Sequence, residues 1–466
     1  MEKMSISPPY SPELQNHLTG KHLLAFEIPF SQELLAEHLK NGYVSETCGV
    51  QSGNGSYHCV RCGNKEQTLF YTFPCKICNQ DCTYCRSCIM MGRVSECAKL
   101  YRWTGPSIQF TIPDNVMRWA GTLSAGQQNA SDCVVEAVKG KDEFLVWAVC
   151  GAGKTEVLFP AIEAALHAGK RICLATPRTD VVLELSPRLK KAFPEIEVTT
   201  LYAGSADRHG FSPLTVSTTH QLFRFIEAFD VIIVDEVDAF PYSIDDSLHY
   251  AVNKSKKVSA VTIYLTATPS KRMQRLYRSG KLKAVIIPAR YHRQPIPVPE
   301  MKWSGNWQKL FLQKKVPLAI NGWVSERLKL NIPFLLFFPS IQVMEQVIPL
   351  FQKLSPKLSI VHSRHPDRKE KVMALRNGMV PGLLTTTILE RGVTIERLEV
   401  AVIGAEHEVF SDSALVQIAG RVGRSFANPA GTITFFHYGK SKAMVEAIHH
   451  IQMMNKDAMK RGLLDE

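Results

Sequence analysis

The sequence predicts an α/β protein in which two parallel-sheet domains follow one another behind a small cysteine-rich module. From about residue 120 onward, short apolar runs that favour strands alternate with longer helical stretches, an order typical of a parallel sheet covered by helices. The alternation resumes after a stretch at 271–299 that contains no acidic residue and ends in alternating prolines. Ahead of both domains, eight of the twelve cysteines lie within 59–97.

These shifts in composition divide the chain into four parts. A chain of 466 residues, 45% of them apolar, is long enough for two or three domains with cores of their own. The predicted parts are an N-terminal region (1–57), a cysteine module (58–100), a first α/β domain (101–294) and a second α/β domain (295–466).

Net charge and hydropathy restrict the class of binding partner and the cellular compartment that we expect for this protein. The 55 Lys and Arg residues outnumber the 43 Asp and Glu residues and leave a net charge of +12, which favours a polyanion or an anionic surface as partner. No apolar run approaches the ~18 residues that a membrane helix needs, and the first residues contain no apolar core of a secretory signal. We therefore expect a cytoplasmic protein, at most peripheral to the membrane, whose cysteines are thiols or metal ligands.

The cysteine module has the spacing of a zinc site. Cys59-x-x-Cys62 followed by glycine is a zinc knuckle, and two such pairs complete a tetrahedral site of four thiolates. A closed site of this kind holds a structural metal, because no coordination position stays open for a substrate. The second pair is either Cys75/Cys78 or Cys85/Cys88, and spacing alone does not decide between them.

A second metal is compatible with the same spacing. Cys75, Cys78 and Cys82 are close together in the sequence, and a fourth ligand would complete another zinc site. Cys97 is the one cysteine of the module that neither arrangement uses. The sequence therefore does not decide whether the module binds one zinc ion or two.

The segment AVCGAGKT (148–155) has the pattern of a phosphate-binding loop. It follows a predicted strand and opens a predicted helix, which is the context that such a loop requires. Gly151 and Gly153 let the backbone amides turn toward the phosphates. We expect Lys154 to reach the β- and γ-phosphates and Thr155 to coordinate Mg²⁺. The predicted nucleotide-binding residues are Ala148, Val149, Cys150, Gly151, Ala152, Gly153, Lys154 and Thr155.

The segment VIIVDEVD (231–238) predicts the acidic half of the same site. Four apolar residues form a buried strand, and the acids stand at its carboxyl end, where an α/β sheet places its ligands. Asp235 would hold Mg²⁺, and Glu236 would orient and deprotonate the attacking water.

Six further segments resemble the motifs of superfamily 2 helicases, and the resemblance spans roughly residues 123–424. It implies two RecA-like domains, with ATP on the first. The segments are LSAGQQNA (123–130), ATPRTDVVLEL (175–185), STTHQL (217–222), YLTATP (264–269), TTTILERGVT (385–394) and QIAGRVGR (417–424).

The resemblance implies roles for individual residues. Gln127 would hydrogen-bond to adenine. Gln417, Arg421 and Arg424 would complete the ATP site from the second domain, with the two arginines as arginine fingers. The residues that would contact the nucleic-acid backbone are Pro177, Arg178, Thr219, Thr386 and Arg391.

This division of the site between two domains predicts a motor. An arginine on the second domain stabilises the γ-phosphoryl charge on the first only when the domains close, and such a finger is worth roughly 10³–10⁵ in rate. Nucleotide would thus clamp the domains together, and hydrolysis would release them. A cleft that opens and closes across a bound strand can step along it.

Two features leave alternatives open. The basic stretch 271–293 with Tyr277 and Tyr291 is either a track for a nucleic-acid strand or a solvated face. Trp303 and Trp307 are either base-stacking side chains or packing within the domain.

The phrases CVRCG, YCRSCIMMGRVSE, WAVCGAGKTE, ATPRTDVVLELSPRL and VDEVDAFPY resemble the ComFA family, the late-competence ATPases of DNA uptake in Gram-positive bacteria, over nearly the whole chain. The family's paired knuckles imply zinc on Cys59, Cys62, Cys85 and Cys88. The additional Cys75, Cys78 and Cys82 depart from that pattern.

This resemblance implies a cytoplasmic ATPase that binds single-stranded DNA at the inner face of the membrane channel and drives its entry. The implied partners are the competence proteins ComFC, DprA and ComEC. An oligomer is compatible with these expectations.

Three other functions are weighed against this one. A replication-restart helicase of the PriA type carries its cysteine pairs inside the motor, whereas here they precede the phosphate-binding loop. In an RNA helicase of the DEAD type the acidic box would read differently from DEVD. An ATP-dependent clamp that grips DNA without moving would use the same cleft, and the motifs leave it open.

Overall fold

The structure is a computed structural model that describes residues 8–53, 55–207, 210–390 and 395–465. The strands of these residues form five sheets, two large and three small. The large ones are parallel throughout and belong to two lobes, which confirms the predicted fold class of tandem RecA-like domains behind an N-terminal module.

The N-terminal part consists of small antiparallel sheets. A three-stranded sheet has the order β1-β8-β2, a hairpin pairs β3 with β4, and a ribbon has the order β5-β6-β7. The elements are α1 (Pro12–Leu18), β1 (Leu23–Leu24), α2 (Gln32–Lys40), β2 (Val44–Cys48), β3 (Val50–Gly53), β4 (Ser56–Cys59), β5 (Phe70–Cys75), β6 (Gln80–Cys85), β7 (Val94–Ser95) and β8 (Lys99–Trp103).

Two of the predicted domain boundaries fall inside strands. The boundary at 57/58 cuts β4, which pairs with β3 in register from Val50 to Cys59. The boundary at 100/101 cuts β8, which pairs with both β1 and β2. The N-terminal region and the cysteine module therefore form one folded unit that extends at least to Trp103, and the predicted division was wrong there. A strand that pairs with residues about 50–80 positions earlier leaves no signature in local composition.

The first lobe contains a seven-stranded sheet of order β11-β12-β10-β13-β14-β9-β15. Its inner strands are nearly continuous apolar runs because helices cover both faces. The elements are α3 (Ala125–Lys139), β9 (Glu143–Ala148), α4 (Lys154–His167), β10 (Ile172–Thr176), α5 (Thr179–Ala192), β11 (Val198–Leu201), β12 (Leu214–Thr218), β13 (Phe229–Asp235), α6 (Asp246–Ser255), β14 (Lys256–Thr266), α7 (Lys271–Arg278) and β15 (Lys283–Ile287).

The strand order brings three motifs to one edge of this sheet. The strands β13, β14 and β9 are neighbours and run parallel. Their carboxyl ends carry the acidic motif, the YLTATP segment and the phosphate-binding loop, respectively. The edge is therefore the place where an α/β sheet binds its ligand.

The second lobe contains a six-stranded sheet of order β16-β21-β20-β17-β19-β18. The elements are β16 (Glu300–Trp303), α8 (Trp307–Leu312), α9 (Leu318–Leu330), β17 (Phe334–Phe337), α10 (Ile341–Gln352), β18 (Ser359–Val361), α11 (Arg368–Arg376), β19 (Gly382–Thr385), β20 (Glu399–Ile403), α12 (Asp412–Ala419), β21 (Ile433–His437) and α13 (Lys442–Lys460).

The lobes and the N-terminal unit pack against one another. One cluster of buried apolar residues includes both Val149 of the first lobe and Val416 of the second. A second cluster joins cysteines of the N-terminal unit to Val234 and Leu248 of the first lobe. Within the described ranges, no helix has the length and apolar character of a membrane span.

Candidate active site and cysteine clusters

The phosphate-binding loop has the backbone that its glycines predict. Gly151 and Gly153 lie at φ values of +82° and +71°, in the left-handed region that a side chain disfavours. Gly153 caps α4, so that Lys154 is the first residue of that helix. The unsatisfied backbone N–H groups and the dipole of the helix terminus make this position favourable for phosphate.

Gln127 holds this loop. Its side chain is buried, its Oε1 accepts from the backbone N–H of Ser124 at 2.8 Å, and its Nε2 donates to the carbonyl of Ala152 at 2.8 Å. A Cβ at Gly153 would collide with the Gln127 amide. The amide that the resemblance assigned to adenine is used on the loop itself, because the first turn of α3 packs directly against it.

The acids lie at the carboxyl end of β13. Asp235 is the last residue of that strand, and its Oδ1 accepts from the N–H of Glu236 at 2.8 Å. Glu236 has a φ of +56°, which is an uncommon conformation for a residue with a side chain. Such backbone strain costs of order 1–3 kcal/mol and clusters at active sites.

Asp238, which the sequence did not single out, accepts hydrogen bonds from residues of both lobes. Its Oδ1 accepts from Thr266 Oγ1 at 2.6 Å, and its Oδ2 accepts from Thr268 Oγ1 at 2.8 Å. Gln417 of the second lobe donates to the same Oδ2 at 3.4 Å. The sequence feature that could have indicated these contacts is the last acid of DEVD together with the two threonines of TATP. The residues meet only because the strands that precede them end side by side in the sheet.

The second lobe touches the phosphate-binding loop through QIAGRVGR. Gln417 Oε1 accepts from the Cys150 thiol at 3.0 Å. A Cβ at Gly420 would collide with Cys150, so that glycine allows the close approach of the two lobes. Cys150 is buried between the lobes, where it contacts the motif that carries the arginines.

The two predicted arginine fingers follow this contact directly. The Nε of Arg421, which is buried, donates to the carbonyl of Glu390 at 2.7 Å. The Nε of Arg424 donates to the carbonyl of Gly420 at 2.8 Å. Each guanidinium is thus oriented by the backbone of its own lobe, next to the point where that lobe meets the loop. Their role in hydrolysis stays a prediction.

Arg178 connects the lobes in addition to its predicted contact with nucleic acid. Its guanidinium pairs with Asp180 at 3.1 Å and donates to the carbonyl of Ile388 in the second lobe at 3.2 Å. Asp180 also pairs with Arg368 of the second lobe at 3.3 Å. Burial raises the pKa of Asp180, but the two arginines outweigh it and hold that pKa below its ordinary value.

The other predicted nucleic-acid contacts have different environments. Pro177 and Thr219 are buried in this arrangement, and their contact with a strand stays a prediction. Thr386 is half-buried and stays a candidate. Arg391 lies outside the described residues.

Four cysteines of the module form a cluster that fits zinc. The Sγ atoms of Cys59, Cys62, Cys85 and Cys88 lie within 4.8 Å of one another, and all four residues are buried. The Sγ atoms of Cys59 and Cys88 are 3.8 Å apart, and those of Cys62 and Cys85 are 3.7 Å apart. A tetrahedral site with Zn–S bonds of about 2.3 Å requires sulfurs about 3.8 Å apart. The fold therefore pairs the first knuckle with Cys85 and Cys88, as the family resemblance implied.

A second cluster contains the remaining four cysteines of the module. The Sγ atoms of Cys75, Cys78, Cys82 and Cys97 also lie within 4.8 Å of one another, with 3.7 Å between those of Cys75 and Cys97. The backbone N–H groups of Cys78 and Ile77 lower the pKa of Cys75 to about 7, which favours the thiolate that a metal binds. Cys97 supplies the fourth thiol of this cluster, the position that the sequence left open.

The first cluster is docked on α6 of the first lobe. The Tyr250 hydroxyl donates to the carbonyl of Val60 at 3.0 Å, and the Lys254 ammonium donates to that of Arg61 at 2.8 Å. A Cβ at Gly63 would collide with the Tyr250 ring. The knuckle therefore packs on the first helix that follows the acidic motif in the chain.

A buried ion cluster adds to this docking. Glu27 of the N-terminal unit accepts from Arg61 of the knuckle at 2.7 Å and from Arg224 of the first lobe at 2.7 Å. Burial alone would raise the pKa of Glu27, but the arginines bring it below its ordinary value. Loss of the carboxylate, or of the guanidinium groups, would leave a buried charge without a partner of opposite sign.

Comparison with known proteins gives the same picture. Residues 5–102 match the family described as competence protein ComFA N-terminal domain, residues 121–271 match that of the type III restriction enzyme res subunit, and residues 324–426 match the helicase conserved C-terminal domain. The solved structure of Saccharomyces cerevisiae Dbp5 bound to RNA and ADP BeF3 is similar in fold, with a TM-score of 0.53 at 14% identity over 73% of this chain and 92% of that one.

Two relatives are similar over most of their length. Competence protein ComFA of Bacillus subtilis is 47% identical over 451 residues, which cover 97% of each chain. Competence protein ComFA of Streptococcus pneumoniae is 39% identical over 377 residues, which cover 80% of this chain and 86% of that one. The chain therefore belongs to the ComFA family of competence proteins, and its two lobes make it a superfamily 2 helicase-like ATPase.

Proposed function

We propose that this chain is a motor that moves single-stranded DNA and drives the uptake of transforming DNA at the cytoplasmic face of the membrane. One observation carries the proposal: the segment that contains Arg421 and Arg424 is packed on the phosphate-binding loop of the other lobe through Cys150, Gln417 and Gly420. Turnover at such a shared site changes the contact between two bodies, which is the requirement for stepping.

The residues of the first lobe would bind and activate ATP. The loop amides and Lys154 bind the phosphates, and Glu236 takes a proton from the attacking water. Thr155 and Asp235 would hold Mg²⁺, which neutralises phosphate charge when it is bound. Arg421 and Arg424 stabilise the charge that develops as the γ-phosphoryl group leaves.

We further propose that the module binds two structural zinc ions. Each cluster brings four Sγ atoms within 4.8 Å of one another, and a zinc ion bound by four thiolates has no coordination position left for a substrate. Their part in the motor is to stabilise the unit that packs on α6. The proteins that the family resemblance implies as partners, ComFC, DprA and ComEC, belong to the same proposal.

The test is ATP hydrolysis in the presence of single-stranded DNA, duplex DNA or RNA. We expect the largest stimulation with single-stranded DNA and loss of hydrolysis in Lys154→Ala. Equal stimulation by RNA would contradict the proposal.

Movement is tested by displacement of streptavidin from biotinylated single-stranded DNA. A motor displaces it only when ATP is hydrolysed. If the DNA is bound and stimulates hydrolysis while streptavidin stays in place, the protein is an ATP-dependent clamp and the motor proposal fails.

A further inference from the structure

The segment that leaves the first lobe runs beside the phosphate-binding loop. It follows β15, the edge strand next to β9. The N–H of Val149 donates to the carbonyl of Ile287 at 3.1 Å, and the N–H of Tyr291 donates to that of Gly151 at 3.3 Å. These two backbone hydrogen bonds fix residues 288–290 against the loop on the side of the second lobe.

Arg290 extends from this segment into the space between the lobes. Its side chain is only 1% exposed. Its Cγ, Cδ and Nε lie 3.7–3.8 Å from the position that a Cβ would take on Gly151. Its Nη1 donates to the carbonyl of Val422 at 2.7 Å and also to that of Gly423. The guanidinium thus bridges the phosphate-binding loop and the motif that carries the arginine fingers.

Within the residues that the structure describes, the remaining donors of Arg290 have no hydrogen-bond partner. Both Nε and Nη2 are buried there, and the neighbouring groups that act on the pKa of Arg290 include no carboxylate. Burial and the neighbouring Arg424 lower the pKa of Arg290 to about 10, so it is charged at neutral pH. A buried cation with unused donors is unfavourable unless an anion compensates it.

The groups that surround Arg290 favour the phosphate of a nucleotide as the compensating anion. Two guanidinium groups, Arg290 and Arg424, are neighbours here beside the loop whose amides and lysine select phosphate. We infer that Arg290 is a phosphate-binding residue of the ATP site, whose Nε and Nη2 donate to a phosphate oxygen while Nη1 holds the QIAGRVGR segment. The inference rests on the ATP site and is independent of whether the protein moves along DNA.

Such a residue would report phosphate occupancy to the second lobe. Its two free donors would contact the phosphate, and its third nitrogen binds the two carbonyls that precede Arg424. A phosphate that draws the guanidinium would also move those carbonyls. None of the helicase-like segments in the sequence includes this residue, which lies between YLTATP and TTTILERGVT.

The test compares Arg290→Met with Arg293→Met in the full chain without DNA. Arg293 is a matched control in the same segment, half-exposed and paired with Asp465 on the surface. Affinity for ATP is measured by titration calorimetry, and inorganic tripolyphosphate is used as a competitor that has no base or sugar. We expect Arg290→Met to weaken ATP and tripolyphosphate by the same factor, about tenfold to a hundredfold, and Arg293→Met to change neither.

Either of two results would overturn the inference. One is an ATP affinity of Arg290→Met within twofold of the parental protein. The other is a loss for ATP without a loss for tripolyphosphate, which would show that only the packing of the lobes had changed. If Arg290→Met does not fold, Arg290→Lys takes its place, since it keeps the charge but has fewer donors in a fixed geometry. We expect Arg290→Lys to weaken ATP and tripolyphosphate by the same factor, which is smaller than the factor expected for Arg290→Met. An unchanged affinity of Arg290→Lys for both ligands contradicts the inference.

Discussion

Glu236 combines an unusual backbone conformation with the position expected of a general base. Its φ of +56° follows the end of β13, and the carboxylate of Asp235 accepts from its backbone N–H. The two acids are therefore fixed relative to each other by one hydrogen bond along the chain. A substitution at this position can remove the charge of Glu236 while it keeps the shape of the side chain.

We expect Glu236→Gln to lose ATP hydrolysis by about 10²–10⁴-fold, since removal of a general base has this effect, and to bind ATP nearly as tightly as the parental protein. Steady-state phosphate release and fluorescent-nucleotide binding measure the two quantities. Glu184→Gln is the matched control, because Glu184 is exposed on α5 of the same lobe. Hydrolysis at the parental rate in Glu236→Gln would exclude Glu236 as the base.

At the scale of elements, α6 is the link between the cysteine module and the ATP site. Tyr250 and Lys254 of this helix donate to carbonyls of the first knuckle. The four clustered cysteines belong to the same buried apolar cluster as Val234 of β13. We therefore expect a change in the knuckle to affect the strand that carries Asp235.

We expect Cys85→Ser to lose one zinc ion, to unfold at a lower temperature and to hydrolyse ATP more slowly. Each kcal/mol of lost stability lowers the unfolding temperature by about 2–4 °C for a domain of this size. Native mass spectrometry, thermal unfolding and ATPase rate are measured together. Cys133→Ser is the control, because Cys133 is half-buried on α3 and lies outside both clusters. A zinc-depleted variant with parental stability and rate would show that the module is independent of the lobe.

At the scale of the whole molecule, polar contacts cross between the lobes in addition to the buried apolar cluster that the lobes share. Asp238 joins Thr266 and Thr268 of the first lobe to Gln417 of the second, and Asp180 joins Arg178 to Arg368. Gln417 also contacts Cys150 of the phosphate-binding loop, so one of these contacts is connected to the ATP site. Their formation and loss would accompany each closing and opening of the cleft.

We expect Asp238→Asn to keep ATP binding but to lose about tenfold or more of the DNA-stimulated rate. The amide offers one acceptor oxygen to the three donors that the carboxylate now accepts from, and its NH2 group cannot accept a hydrogen bond. Nucleotide affinity and DNA-stimulated hydrolysis are compared. Asp132→Asn serves as the control on the exposed face of α3. A variant with full stimulation would show that Asp238 does not couple the lobes.

The charge of the whole chain leads to a prediction for DNA binding. With a net charge of +12, contacts to phosphates release counterions, so that the logarithm of the affinity for single-stranded DNA should fall linearly with the logarithm of the salt concentration. Fluorescence anisotropy at several salt concentrations measures the slope. An affinity that does not depend on salt would remove the interpretation of the charge as a nucleic-acid footprint.

Sequence reasoning was sufficient where a feature depends on residues close together in the chain. The alternation of strands and helices predicted both RecA-like lobes, and AVCGAGKT predicted a strand, a loop with two left-handed glycines and a helix. It was insufficient for Cys97, Asp238 and Arg290. Each of these acquires its role from partners on other strands or on the other lobe.

The sequence by itself thus determined the fold class, the position of the phosphate-binding loop and the presence of a cysteine module, because periodicity and short spacings are local properties. Only the tertiary structure decided which cysteines share a cluster, that Gln127 supports the loop, and that the module is part of a unit extending through Trp103. The physical reason is that these outcomes depend on which strand ends become neighbours. That choice is made by packing between residues up to about 270 positions apart, such as Cys150 and Gln417.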